Sequence, residues 1–145
     1  MALFSRHKKI DHLRKLPIFQ GCGRRELTAV ARIADLVETP AGKVLARAGA
    51  TGREFYLILE GTARVEISPR KRVRLGRGDF FGEMSLLDGE PRSATVIAET
   101  PLRLLVIGRR AFWPLLLEVP QLTRRIMVTL SQRLRRAQAE QAILG

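Results

Sequence analysis

The hydrophobic period of this chain changes twice, from helical to strand-like and back again, and that order narrows the folds open to it. In the first 33 residues, Ile10, Leu13 and Leu16 are spaced for one helical face. Pro17 breaks the run, and Leu27, Val30, Ala31 and Ile33 are spaced for a second helix. Gly21 and Gly23 punctuate the two around Cys22, and Pro40, Gly42, Gly49 and Gly52 then mark closely spaced turns. From Phe55 the period shortens to two. Phe55 to Leu59 runs through a corner at Gly61 into Thr62 to Ile67, where Ala63, Val65 and Ile67 share one face and Thr62, Arg64 and Glu66 the other. Val73 and Leu75 continue after the Ser68, Pro69, Arg70 turn, and Ala94 to Ala98 and Leu102 to Ile107 supply two more strands. Short strands with regular turns predict a β-sandwich or jelly roll.

From Arg109 the pattern is helical again. Phe112, Leu115 and Leu116 form a stripe, Pro120 marks a boundary or hinge, and a longer helix is expected from about Gln121 to Ile143. In it Met127, Leu130, Leu134, Ala137 and Leu144 fall at alternating spacings of three and four, with only Gln141 polar in the series. The stripe suits either a homodimer seam through the C-terminal helix or a cover over the chain's own β-barrel.

At 145 residues, 46% apolar and 28% charged, the chain is the size and composition of one globular domain. Its apolar runs fall far short of the roughly 20 residues needed to span a bilayer, so no membrane span is expected. Arg6, His7, Lys8 and Lys9 interrupt the N-terminus before a secretory apolar core develops, so the expected location is cytoplasmic. Cys22, the single cysteine, excludes an internal disulfide and a cysteine-built zinc site. The 26 Lys and Arg against 14 Asp and Glu give a net charge of +12, gathered at Arg6 to Lys15, Arg64 to Arg77 and Arg109 to Arg136. That balance suits an anionic partner or simply a solvated basic face.

The chemistry is concentrated in Gly78 to Val96, GDFFGEMSLLDGEPRSATV, which is too polar in its middle for a strand and reads as a loop holding a short helix. Gly82 allows a backbone conformation closed to other residues, and Glu83 to Leu87 can then form a helical turn whose free N–H groups favour an anion. Arg92 offers parallel donors to the two exocyclic oxygens of a phosphodiester, and Ser93 adds a hydroxyl or its N–H. The Glu83 carboxylate needs donors, and a ribose 2′-hydroxyl beside the phosphate is a suitable one. The set therefore fits a nucleotide better than free phosphate. Asp79, Asp88 and Glu90 stand nearby but belong to turns, and no metal site is expected. His7 and His12, read as surface residues, form no nucleophile arrangement with Cys22, so no enzymatic activity is expected.

The stretch FGEMSLLDGEPRSATV resembles the phosphate-binding cassette of the cyclic nucleotide-binding domain family, the type found in bacterial catabolite activator protein and the protein kinase A regulatory subunit. The resemblance extends to the LPIFQGC segment, the glycines at 42, 49, 61 and 78, the FYLILEG strand and both closing helices. It implies an eight-stranded β-jelly-roll, or double-stranded β-helix, with N-terminal helices over residues 1–33, the roll over 34–108 with its cassette at 81–96, and two C-terminal helices over 109–145, all one domain. It implies that Arg92 grips the cyclic phosphate, that Glu83 takes the ribose 2′-hydroxyl, and that the backbone near Gly82, Ser85, Ser93 and Ala94 completes the cradle. Val73, Leu75 and Phe81 are the candidates for packing the base. Arg133 matches a family arginine that reaches back to the cassette glutamate, and Ala137 and Gln138 stand where catabolite activator protein has a threonine and a serine closing over adenine. The implied ligand is cyclic AMP, with cyclic GMP as the alternative because a hydroxyl at Ser93 occurs in sites for both. No other cofactor is implied. Because the sequence ends at Gly145 without a helix-turn-helix, sequence-specific DNA binding is not expected, and the output is expected to pass in trans to a separate effector protein. The competing expectation is a nucleotide-independent interaction module, its cassette empty and closed by an Arg92–Glu83 salt bridge, whose basic face docks on nucleic acid or an acidic protein.

Overall fold

A computed structural model describes residues 2–144, with side chains described from 8 to 141. The chain opens with α1 (Ala2–Arg14), a single 3-10 turn (Pro17–Phe19) and α2 (Arg24–Ile33). Eight strands follow: β1 (Asp35–Thr39), β2 (Val44–Ala46), β3 (Glu54–Glu60), β4 (Ala63–Ser68), β5 (Lys71–Leu75), β6 (Phe80–Phe81), β7 (Thr95–Ala98) and β8 (Leu102–Gly108). A short helix, α3 (Glu83–Asp88), lies between β6 and β7, and α4 (Arg109–Glu118) and α5 (Pro120–Leu144) close the chain. Pro120 stands at the boundary between these last two helices, where its missing N–H costs nothing.

The strands make two four-stranded antiparallel sheets, ordered β1-β8-β3-β6 and β2-β7-β4-β5, which face each other as the jelly roll. The unbroken apolar run of β3 follows from its having two buried faces. Phe55, Leu57 and Leu59 join the core beneath the helices, with Leu105 and Ile107 of β8 and Phe112, Leu115, Leu122 and Ile126 of the closing helices. Tyr56 and Ile58 point the other way, into the roll, with Leu104 and Val106 of β8 and Phe81 of β6. The central pair β3–β8 is thus shared by both cores. At the N-terminus, Lys9 caps α2 by donating through Nζ to the carbonyls of Ala34 at 2.6 Å and Ala31 at 3.3 Å, where the helix dipole favours a cation.

The face shared by Ala63, Val65 and Ile67 becomes exposed along its length: Ala63 is fully buried, Val65 half-buried and Ile67 48% exposed. Two expectations are corrected. His12 is half-buried rather than on the surface, and burial followed by Arg103 lowers its pKa. The side chain of His7 lies outside the described residues. The stripe of α5 does not cover the barrel. Leu122 and Ile126 pack inward with Leu130 half-buried behind them, while Met127 is 65% and Leu134 60% exposed and Ala137 and Gln141 face solvent. The side chain of Leu144 lies outside the described residues.

Candidate nucleotide-binding site

Four polar or charged residues are buried among the described residues, and three of them, Glu83, Ser85 and Arg92, come from the segment singled out above. Burying such groups costs free energy unless partners compensate, so their convergence needs a local explanation. Gly82 adopts φ +91° and turns the chain from β6 into α3, and Gly89 at φ +75° ends that helix, its N–H bonded to the Ser85 carbonyl at 3.0 Å. Arg92 then returns across the loop before β3. Its N–H donates to the Ala50 carbonyl at 2.8 Å, and its carbonyl accepts from Gly49 at 2.8 Å.

The Arg92 guanidinium lies where three segments meet. Nη1 donates to the Gly82 carbonyl and Nη2 to the Glu54 carbonyl, both at 2.7 Å. A guanidinium has more donors than these two acceptors use, and Arg92 has no carboxylate partner among the described residues. Two glycines make the space: a Cβ on Gly82 would stand 2.7 Å from Arg92 Nη1, and one on Gly52 would stand 2.3 Å from Ser85 Cβ and 3.0 Å from Arg92 Cζ.

Glu83, at the first position of α3, is 3% exposed and is held from the far end of the chain. Arg133 of α5 donates through Nη1 to Glu83 Oε1 at 3.0 Å and through Nη2 to the Phe80 carbonyl at 2.8 Å, its guanidinium lying over the Phe80 ring at 4.7 Å. Burial pushes the Glu83 carboxyl above its ordinary value, an effect that Arg133, its own backbone N–H and Arg92 offset only in part. The helix before α5 also grips the cassette, since Trp113 Nε1 of α4 donates to the Leu86 carbonyl of α3 at 3.0 Å.

Residues 36–118 match the family described as the cyclic nucleotide-binding domain. The chain belongs to that family. A cyclic nucleotide-gated potassium channel of Rhizobium etli is 38% identical over 118 residues, which cover 81% of this chain and 33% of the channel. A cAMP-dependent protein kinase regulatory subunit of Aspergillus fumigatus is 38% identical over 130 residues, covering 86% of this chain and 31% of the subunit. Among solved structures, the Thermus thermophilus catabolite activator protein superposes with a TM-score of 0.78 at 30% identity, over 88% of this chain and 62% of that one. The chain therefore spans about a third of the length of the curated relatives it matches.

Within this cyclic nucleotide-binding domain, Glu83, Ser85 and Arg92 are buried beside the half-buried Gly82, with Ala94 half-buried and Ser93 exposed. Of the three residues expected to pack the base, Phe81 and Leu75 share one core and Val73 lies outside it. Phe81 is buried in the roll, stacked on Tyr56 with ring centroids 4.6 Å apart and an interplanar angle of 11°, so one of its faces is taken. Leu75 is half-buried against the same core, and Val73 stands 39% exposed on β5. Gln138 is exposed on α5, two residues before Glu140, which pairs with Lys71 of β5. The Arg92–Glu83 salt bridge expected of an empty, self-closed cassette does not form, because Glu83 is held by Arg133. Sequence reasoning missed Gly52 and Glu54. Gly52 registered only as a turn residue, and the Glu54 contribution is a main-chain carbonyl, which no side-chain pattern announces. Among the described residues, no helix is long and apolar enough to cross a membrane.

Proposed function

We propose that this domain, acting as a single unit over residues 1–145, is a non-catalytic sensor that binds cyclic AMP in the 81–96 cassette and relays occupancy through α4 and α5 to a separate effector protein. The observation that carries the reading is Arg92: a guanidinium 9% exposed, fixed by two carbonyls and lacking a carboxylate among the described residues, is a buried cation that calls for an anion. The cyclic phosphate supplies that charge, with the N–H groups at the start of α3 and the backbone at Ser85, Ser93 and Ala94 completing the cradle. Glu83, held as a carboxylate by Arg133, accepts the ribose 2′-hydroxyl. The base lies toward β5, against Val73 and Leu75 with the edge of Phe81 behind, and α5 with Gln138 forms the cover. Nothing in this set acts as a nucleophile or general base toward the phosphodiester, so the ligand leaves unchanged. Cyclic GMP is the competing ligand, because the base is the least constrained part.

The relay follows from the two grips on α3. A ligand that reorders the cassette acts on Arg133 through Glu83 and on Trp113 through Leu86, and it shifts the closing helices only to the extent that it binds their two positions with different affinity. The exposed Met127 and Leu134 on α5 provide the seam for a homodimer. Incubation of the purified protein with cyclic AMP, followed by chromatography of the released nucleotide, tests the binding-only role. Full recovery of cyclic AMP is expected, and conversion to 5′-AMP in proportion to protein would contradict it.

A further inference from the structure

A second basic cleft lies beside the cassette, outside the nucleotide cradle. It has a volume of about 220 Å³ and is walled by Arg77 and Asp79 of the β5–β6 turn, Phe80 of β6, and Arg125, Thr129 and Arg133 along one face of α5. Arg125, Thr129 and Arg133 sit four residues apart, so the helix presents them in a row, and the turn brings Arg77 opposite. Three guanidiniums thus face one aspartate. Arg77 and Arg125 are exposed and pair with no carboxylate among the described residues. They differ in this from the hairpin cations Arg64, Lys71 and Arg74, each of which has a glutamate. The Asp79 carboxylate lines the cleft with one oxygen engaged in its own turn, Oδ2 accepting the Gly76 N–H at 2.8 Å.

We propose that this cleft is a binding site for a phosphate oxyanion, held by Arg77, Arg125 and the Thr129 hydroxyl and sharing Arg133 with Glu83. The chemistry favours phosphate over other small anions. A tetrahedral oxyanion accepts from several guanidinium donors at once, and monohydrogen phosphate also carries a proton that the remaining Asp79 oxygen accepts, whereas sulfate at neutral pH has none. The cleft is linked to the cassette because Arg133 has one guanidinium to divide between them: an anion drawing on it loosens its hold on Glu83. By reciprocity, cyclic nucleotide and phosphate then weaken each other. This linkage rests on the cyclic AMP reading of the cassette, whereas the site itself does not.

The test is isothermal titration of the full chain with inorganic phosphate, without nucleotide, at constant ionic strength set with chloride. Saturable binding of one phosphate is expected, weakened at least tenfold by Arg77→Ala and by Arg125→Ala and unchanged by Arg70→Ala, an exposed arginine on the hairpin turn. Absence of saturation, or equal loss in Arg70→Ala, would reduce the effect to diffuse attraction toward a chain of charge +12 and overturn the site. Sulfate binding as tightly as phosphate would overturn the role of Asp79. A parallel titration with cyclic AMP in saturating phosphate is expected to show a severalfold loss of affinity. A protein that binds both ligands independently would remove Arg133 from the phosphate site.

Discussion

Arg133 and Glu83, fifty residues apart in the chain, form the ion pair that fastens the last helix to the cassette. The carboxylate is almost fully buried and the guanidinium about one third exposed, so the pair stands between a surface bridge of little worth and a buried one that cannot be broken cheaply. Because it joins α3 to α5, it is the contact through which the proposed relay runs.

Removing Arg133 tests that coupling. In Arg133→Ala the Glu83 carboxyl is left buried without its main partner, which costs roughly 1–3 kcal/mol of stability and detaches α5 from the cassette. Hydrogen–deuterium exchange is expected to show the middle of α5 responding to cyclic AMP in the wild type and losing that response in the variant. An α5 whose protection is unmoved by saturating ligand in the wild type would contradict the relay.

Glu83 also sets a pH dependence. Its folded-state pKa is raised by burial, so the folded protein holds this proton more tightly than the unfolded chain. The stabilisation from protonation is fully present below the ordinary glutamate value and is lost as pH rises through the raised one. Glu83→Gln, neutral at every pH, is expected to flatten that decline in urea titrations run between pH 4 and 8, while weakening cyclic AMP at neutral pH. The loss is expected to be smaller for 2′-deoxy cyclic AMP, which lacks the hydroxyl proposed to donate to Glu83.

Arg92→Ala removes the buried cation itself. Loss of charge-assisted bonds to the phosphate is expected to weaken cyclic AMP by about 2–3 kcal/mol or more, and the Gly82 and Glu54 carbonyls lose their donors at a further cost of about 1–3 kcal/mol in stability. Binding and chemical denaturation together separate the two effects. Affinity unchanged in a folded Arg92→Ala would place the phosphate elsewhere.

Gly52→Ala crowds the same guanidinium while leaving its charge and its donors in place. The added methyl would stand 2.3 Å from Ser85 Cβ and 3.0 Å from Arg92 Cζ, so one of them must move. A loss of tenfold or more in cyclic AMP affinity is expected with the far-ultraviolet circular dichroism preserved. Wild-type affinity would show that the loop before β3 does not brace the cradle.

Most of the roll was legible in the sequence because its long strands are buried in regular patterns: Phe55 to Leu59, Ala94 to Ala98 and Leu102 to Ile107 fall within or one residue from β3, β7 and β8. β1 was not, since Leu36 and Val37 are half-buried and exposed and only Thr39 is buried. Nor was β6, which has two residues. Arg92 and Glu83 were legible as a pair at fixed spacing beside glycine, but Gly52 and the Glu54 carbonyl join them only through the meeting of β3 with the cassette. The α5 stripe shows the limit of periodicity: Met127 and Leu134 repeat as well as Leu122 and Ile126 do, and only the packing of the helix on the roll shows that the second pair faces inward.

The most direct test of the account is isothermal titration of the purified protein with cyclic AMP and cyclic GMP in parallel, with 5′-AMP as the control for the cyclic phosphate. Saturable binding of cyclic AMP at micromolar concentration or below is predicted, with weaker cyclic GMP and negligible 5′-AMP. No binding of either cyclic nucleotide would contradict the sensor and leave the buried Arg92 without an anion.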